Sequence, residues 1–148
     1  MVKVASIDLG SNSTRLLIAD ITNGTLTTIY KEHQVTRMAD KLSESKIISK
    51  ESTKRVIKVL AGYFKVIKRN NVENIQIVGT AALRDAINSQ DITQLIEKKF
   101  GIEVDIVSGE EEGVLTSVGV FNTLNSLDNF LIVDIGGRST EFIYDSDK

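Results

Sequence analysis

The stretch Val133-Asp134-Ile135-Gly136-Gly137-Arg138-Ser139 repeats a design the chain has already used at Ile7-Asp8-Leu9-Gly10-Ser11-Asn12-Ser13. Each is an apolar run that delivers an aspartate into an Asp-apolar-Gly turn, followed by a serine that leads into a second strand. Glycine at such a turn lets backbone N–H groups approach an anion closely, and the neighbouring hydroxyls add donors. An aspartate at the strand end suits a hard divalent cation held beside a phosphate. Either loop alone also reads as an ordinary hairpin, with Asp, Gly, Asn and Ser present as turn formers. Two of them in one chain favour a phosphate site, and the later one reads as the start of another copy of the same unit.

Working outward from the first loop, the flanking runs 2–7 and 15–21 read as strands. Asn23-Gly24 is a strong hairpin signal, and the β-branched run 25–30 makes a third strand. The period then changes. Val56, Val59, Leu60, Tyr63, Phe64 and Ile67 recur at helical spacing, with Ser49 or Ser52 available as a cap and Asn70-Asn71 as a stop. A buried-type strand at 75–80 follows, then helical segments at 81–88 and 91–100, the latter closed by Gly101. A strand at 104–107, a helix at 110–120, and a strand-turn-strand over 130–134 and 140–144 complete the chain. The order βββ-α-β-α-β-α predicts an α/β fold: a mixed five-stranded sheet with helices on both faces.

Composition sets broad limits. The 148 residues suffice for one core, and 41% hydrophobic with 26% charged residues is ordinary for a globular chain. A net charge of -2 gives no electrostatic reason to expect nucleic acid or a membrane surface as partner. Without cysteine there is no disulfide, thiolate metal site or thiol nucleophile. No apolar run reaches the roughly 20 residues of a membrane span, and no signal-peptide pattern opens the chain, so a cytoplasmic location is expected.

Three other segments carry chemistry. Gly79 to Asn88 follows a strand end, where ligands collect in α/β sheets, and Arg84 there offers a planar fork suited to phosphate oxygens. Its plain alternative is a surface arginine paired with Asp85 or another carboxylate. In Ser108-Gly109-Glu110-Glu111-Glu112, capping and the helix dipole account for Glu110 and Glu111 but require no third acid. Glu112 is therefore a candidate general base. The polar stretch from Thr36 to Leu42 reads as a loop; Arg37 could reach a phosphate, although nothing in the local pattern calls for it. His33 has no partner at ligand spacing, and Lys65, Lys68 and Arg69 read as a solvated helix face.

Taken together, Asp8 to Leu16, Ala82 to Asn88, Ser108 to Glu112 and Asp134 to Glu141 resemble the exopolyphosphatase/guanosine pentaphosphate phosphohydrolase family, over the N-terminal part of that family's usual length. The resemblance implies a ribonuclease-H-like lobe of the actin/Hsp70/sugar-kinase superfamily, with residues 1–125 as the first lobe and 126–148 as the opening hairpin of a second. It implies a Mg2+-assisted phosphohydrolase acting on the terminal phosphate of polyphosphate or guanosine pentaphosphate. A phosphate-binding or regulatory module without activity is the alternative for so short a chain. Glu112 and Glu141 fall at the catalytic positions, and Asp134, Glu141 and Asp8 at metal-associated ones. Gly10, Asn12, Ser13, Arg84, Gly136, Gly137, Arg138 and Ser139 fall at phosphate-contacting ones.

Two positions depart from the pattern. Arg138 stands where the family has a third glycine, a change costing about 1–2 kcal/mol if that position needs φ > 0. Gly113 stands where alanine is usual, weakening its helix by about 1 kcal/mol. Because a lone hairpin is marginal and leaves open edges, the C-terminal strands are expected to dock on their own lobe or to pair between protomers in a homodimer.

Overall fold

A computed structural model describes residues 2–124 and 129–144. Strands β1 (Val2–Leu9), β2 (Ser13–Thr22) and β3 (Thr25–Val35) form an antiparallel meander, continued by β4 (Asn74–Gly79) and β5 (Val104–Ile106) in the order β3-β2-β1-β4-β5. β1 runs antiparallel to β2 and parallel to β4, which in turn runs parallel to β5. The predicted mixed five-stranded sheet is thus present, and β1, β4 and β5 end on a common edge. β3 continues five residues beyond the predicted Tyr30, because residues 31–35 find partners along β2 from Leu17 back to Ser13. That extension is set by the neighbouring strand and leaves little trace in local composition.

Alternation along the strands decides the core. Ala5, Ile7 and Leu9 of β1, with Leu16 and Ile18 of β2, turn one face inward. Against it lies α2 (Lys50–Arg69), whose Val56, Leu60, Tyr63 and Ile67 recur at helical spacing and are buried. Ser49 caps this helix by accepting the Ser52 N–H at 3.1 Å, and Lys68 and Arg69 suit its C-terminal dipole. α4 (Ser89–Phe100) buries Ile92 and Ile96 in the same core and stacks Phe100 on Phe64 at 4.6 Å. Gly101, with φ 72°, ends it as predicted. The helix predicted at 81–88 is a single turn, α3 (Ala81–Asp85): Ala86 is extended, Ile87 N–H donates to Lys46 O at 2.9 Å, and the Asn88 amide exchanges two hydrogen bonds with the backbone of Ile48. Within the predicted 36–42 loop, Leu42 opens the short α1 (Leu42–Ser45).

α5 (Gly109–Phe121) leads to a separate hairpin, β6 (Leu131–Ile135) with β7 (Thr140–Tyr144). The predicted boundary between residues 125 and 126 lies outside the described residues. The repeat seen in sequence is also structural. Asp8 pairs with Arg15 and Leu9 with Thr14; Asp134 pairs with Glu141 and Ile135 with Thr140. Both turns close identically, with Gly10 N–H donating to Ser13 O at 3.0 Å and Gly136 N–H to Ser139 O at 2.9 Å. The hairpin docks on α5, where Ile143 packs over Gly113 and Thr116 Oγ1 donates to Asp134 Oδ2 at 2.8 Å. Its opposite face, with Leu131, Val133, Ile135, Phe142 and Tyr144, is exposed.

Candidate functional site: two facing loops and a carboxylate cluster

The parallel strands β1, β4 and β5 discharge their chemistry at one edge of the sheet. Asp8 lies at the end of β1, Arg84 in the turn after β4, and Glu112 in the helix after β5. Gly79 makes the second of these possible. A Cβ there would meet Leu83 Cδ1 at 2.5 Å, so glycine leaves the room in which Leu83 of α3 packs under the strand end. Arg84 is thereby turned back toward β5, where Nη1 donates to Val107 O at 2.9 Å and to Glu112 Oε2 at 2.7 Å. Arg84 thus has a carboxylate partner, and that partner is the candidate base. Nη2 and Nε have no protein partner among the described residues.

The acidic triplet divides as the capping argument requires. Ser108 Oγ accepts the Glu111 N–H at 3.1 Å, and Glu111 Oε2 accepts the Ser108 N–H at 2.7 Å, a reciprocal capping box. That bond from the Ser108 backbone holds the Glu111 carboxyl below the usual range. Glu111 is consumed in capping, Glu110 is exposed, and Glu112 alone is turned inward.

Asp8 points to the face opposite Ile7 and Leu9. Burial pushes its carboxyl up; Arg15, 3.6 Å away, opposes this, and the negative charges of Glu112 and Asp134 reinforce it. One Asp8 oxygen is buried without a hydrogen-bond partner. The first lobe and the hairpin thus contribute acids to a shared space. At the position equivalent to Arg15 the second copy carries Glu141, directly opposite Asp134, and like charges so placed repel. An all-oxygen set of this kind suits a hard cation such as magnesium, which takes one or two carboxylates and completes its shell with phosphate and water. Among the described residues no three acidic or histidine groups close around a single point.

The two glycine loops face each other. A Cβ on Gly137 would lie 3.2 Å from Ser11 Cβ and 3.3 Å from Asn12 N, and one on Gly10 would lie 2.8 Å from Ser13 O. Close approach is what these glycines supply, since Gly10, Gly136 and Gly137 all lie outside the left-handed region. Arg138 also lies outside it, so the cost foreseen for a side chain at that position is not incurred. The backbone N–H groups of Ser11, Asn12, Gly137, Arg138 and Ser139 have no hydrogen-bond partner among the described residues. The Asn12 amide and the Ser13 and Ser139 hydroxyls are likewise uncommitted among them. Unpaired amides on two adjoining glycine turns are donors that an anion can use.

Arg138 is placed across the gap. Nε and Nη2 donate to Asp85 Oδ2 at 3.0 and 2.8 Å, and Nη1 to Ser43 Oγ at 2.8 Å. Its fork therefore ties the hairpin to α1 and α3. Asp85 and Ser43 did not stand out in the sequence in this role, because 53 and 95 residues separate them from Arg138. The Thr36–Leu42 loop is also part of the site. Thr36 and Arg37 N–H both donate to Asn12 O, at 3.0 and 2.9 Å, and Ala39 N–H donates to Ser11 O at 2.9 Å. A cleft of about 340 Å³ is lined there by Ser11, Asn12, Arg37, Ala39, Asp40 and Gly137.

A five-stranded sheet in this order, whose glycine loop meets that of a separate two-stranded hairpin, belongs to the actin-like class of α/β fold. The Ppx/GppA phosphatase family profile matches residues 17–148, and the chain belongs to that family. It is 37% identical over 139 residues to the guanosine-5'-triphosphate,3'-diphosphate pyrophosphatase of Vibrio atlanticus, covering 94% of this chain and 28% of the relative. The crystal structure of the Aquifex aeolicus Ppx/GppA family member superposes with a TM-score of 0.87 at 33% identity, over 97% of this chain and 47% of that one. An exopolyphosphatase from Cytophaga hutchinsonii gives 0.90 at 28% identity, over 96% and 46%. The chain spans less than half the length of each of these relatives.

Proposed function

We propose that this chain binds a terminal phosphoryl group between its two glycine loops and serves a phosphohydrolase acting on inorganic polyphosphate, guanosine pentaphosphate, or both. The observation that carries the reading is the set of five N–H groups without a partner among the described residues, on the facing turns Ser11-Asn12 and Gly137-Arg138-Ser139. Water attacks the terminal phosphorus, its proton passes to Glu112, and the bond to the bridging oxygen of the remaining chain breaks. Glu141 orients the water. Arg84, anchored through Nη1 to Glu112, presents its free Nη2 and Nε to a phosphoryl oxygen. Magnesium, when bound through Asp134 with Asp8 and Glu141 beside it, supplies charge neutralisation at the phosphate oxygens.

A binding module without turnover is the second reading. The 2.7 Å Arg84–Glu112 ion pair favours it, because the base is engaged by a cation. Phosphate release from long-chain polyphosphate and from guanosine pentaphosphate, with magnesium, separates the two. Turnover that Glu112→Gln abolishes supports the hydrolase. Binding without turnover supports the module, and absence of both refutes the phosphate reading.

A further inference from the structure

Five arginines lie on or under the loops of this site, and four have a partner within the protein, Arg84 through Nη1 alone. Arg15 pairs with Asp8, Arg84 with Glu112 and Arg138 with Asp85. Arg55 donates Nε to Thr36 O at 2.7 Å, and Nη2 to Arg37 O at 3.0 Å and Ser52 Oγ at 2.8 Å. The Arg37 guanidinium has no hydrogen-bond or ion-pair partner among the described residues, and it lines the same 340 Å³ cleft as Asn12 and Gly137.

The Arg37 backbone is held in place at some conformational cost. Its φ is 47°, in the left-handed region that non-glycine residues rarely adopt. Its N–H donates to Asn12 O at 2.9 Å, and its carbonyl accepts from Arg55 Nη2 and, at 3.1 Å, from Ser52 Oγ. Met38, the next residue, is fully buried and anchors the loop from below. Strain of this kind persists where the surroundings over-determine it, and such places concentrate at ligand sites. Here the result is that a free guanidinium is tethered, by one hydrogen bond, to a residue of the first glycine loop.

We propose that Arg37 is the second-phosphoryl contact of the cleft. With the terminal phosphoryl between the two glycine loops, the next group of the chain lies along Ser11 and Asn12 and meets the Arg37 fork. Asp40, exposed on the same wall, repels the anion and limits its affinity. Arg55 and Ser52 act as positioning residues through the Arg37 carbonyl. This assignment rests on the phosphate reading above and adds to it the side chain that holds the second phosphoryl group.

Calorimetric titration of the full chain with orthophosphate and with tripolyphosphate, in magnesium, tests it. Arg37→Gly suits the left-handed backbone, so its melting temperature should equal or exceed that of the unchanged chain. Its affinity for tripolyphosphate should fall about tenfold while that for orthophosphate stays unchanged, the scale of a lost charge-assisted hydrogen bond. Asp40→Asn should tighten tripolyphosphate binding. Equal tripolyphosphate affinity in Arg37→Gly, or equal losses for both ligands, overturns the assignment and leaves the phosphate reading standing. An unchanged chain that binds neither ligand overturns both.

Discussion

Arg138→Ala should release the β6–β7 hairpin from the first lobe without disturbing the sheet beneath it. One guanidinium makes three hydrogen bonds there, two to Asp85 and one to Ser43. The Arg138 side chain is only 17% exposed, but Asp85 is 46% exposed, so solvent screens the pair. Hydrogen bonds to charged groups contribute about 1.5–3 kcal/mol, and exposed ion pairs about 0–1 kcal/mol. A half-screened fork with one hydroxyl partner falls between, at about 1–2 kcal/mol. A double-mutant cycle with Asp85→Ala should return a coupling of about 1 kcal/mol. The loss is local, because these bonds anchor the hairpin and do not cross the Ile7–Leu60–Tyr63 core. Amide hydrogen exchange is the assay. Protection in β6 and β7 should drop by about tenfold while amides of β1 and α2 keep theirs. Unchanged hairpin protection would refute the latch, and equal acceleration everywhere would mean that Arg138 supports the core.

Three further outcomes follow from particular contacts. Gly113 is buried in α5, and a Cβ there would meet Ile143 Cγ1 at an ordinary 3.5 Å, so Gly113→Ala should stabilise by about 1 kcal/mol and raise the melting temperature. The Tyr63 hydroxyl donates to Thr14 O at 2.8 Å, and burial, with Glu32 and Tyr30 nearby, pushes its phenol from 10.0 up to about 12. Folding thus favours the protonated phenol, a contribution complete below pH 10 and lost as pH rises through about 12; denaturation at stepped alkaline pH should show a steeper fall than in Tyr63→Phe. A homodimer through the exposed hairpin face should be lost in Leu131→Lys with Phe142→Lys, and light scattering showing the same mass before and after would exclude that surface.

The loops were legible because their signal is local: an apolar run, an aspartate and a glycine within a few residues of one another. The Ser108–Glu111 capping box was legible for the same reason. What the sequence left open depends on partners far along the chain. Arg84 could have met Asp85 or another acid, and the turn after β4 sends it to Glu112, 28 residues away. Arg37 carried no local sign of its place, since Asn12, Ser52 and Arg55 define it from three separate positions along the chain. Whether Arg138 needs φ > 0 is not written in local sequence; it does not, and the tight position of this loop is Gly137, packed against Ser11 and Asn12.

The proposed function requires that the two glycine loops form one phosphate site. Calorimetric titration of magnesium tripolyphosphate into the unchanged chain, Asn12→Ala and Ser139→Ala tests it most directly, with one substitution in each loop. One ligand per chain, weakened by either substitution, is the predicted result. Two independent sites, or binding indifferent to Ser139→Ala, would contradict it.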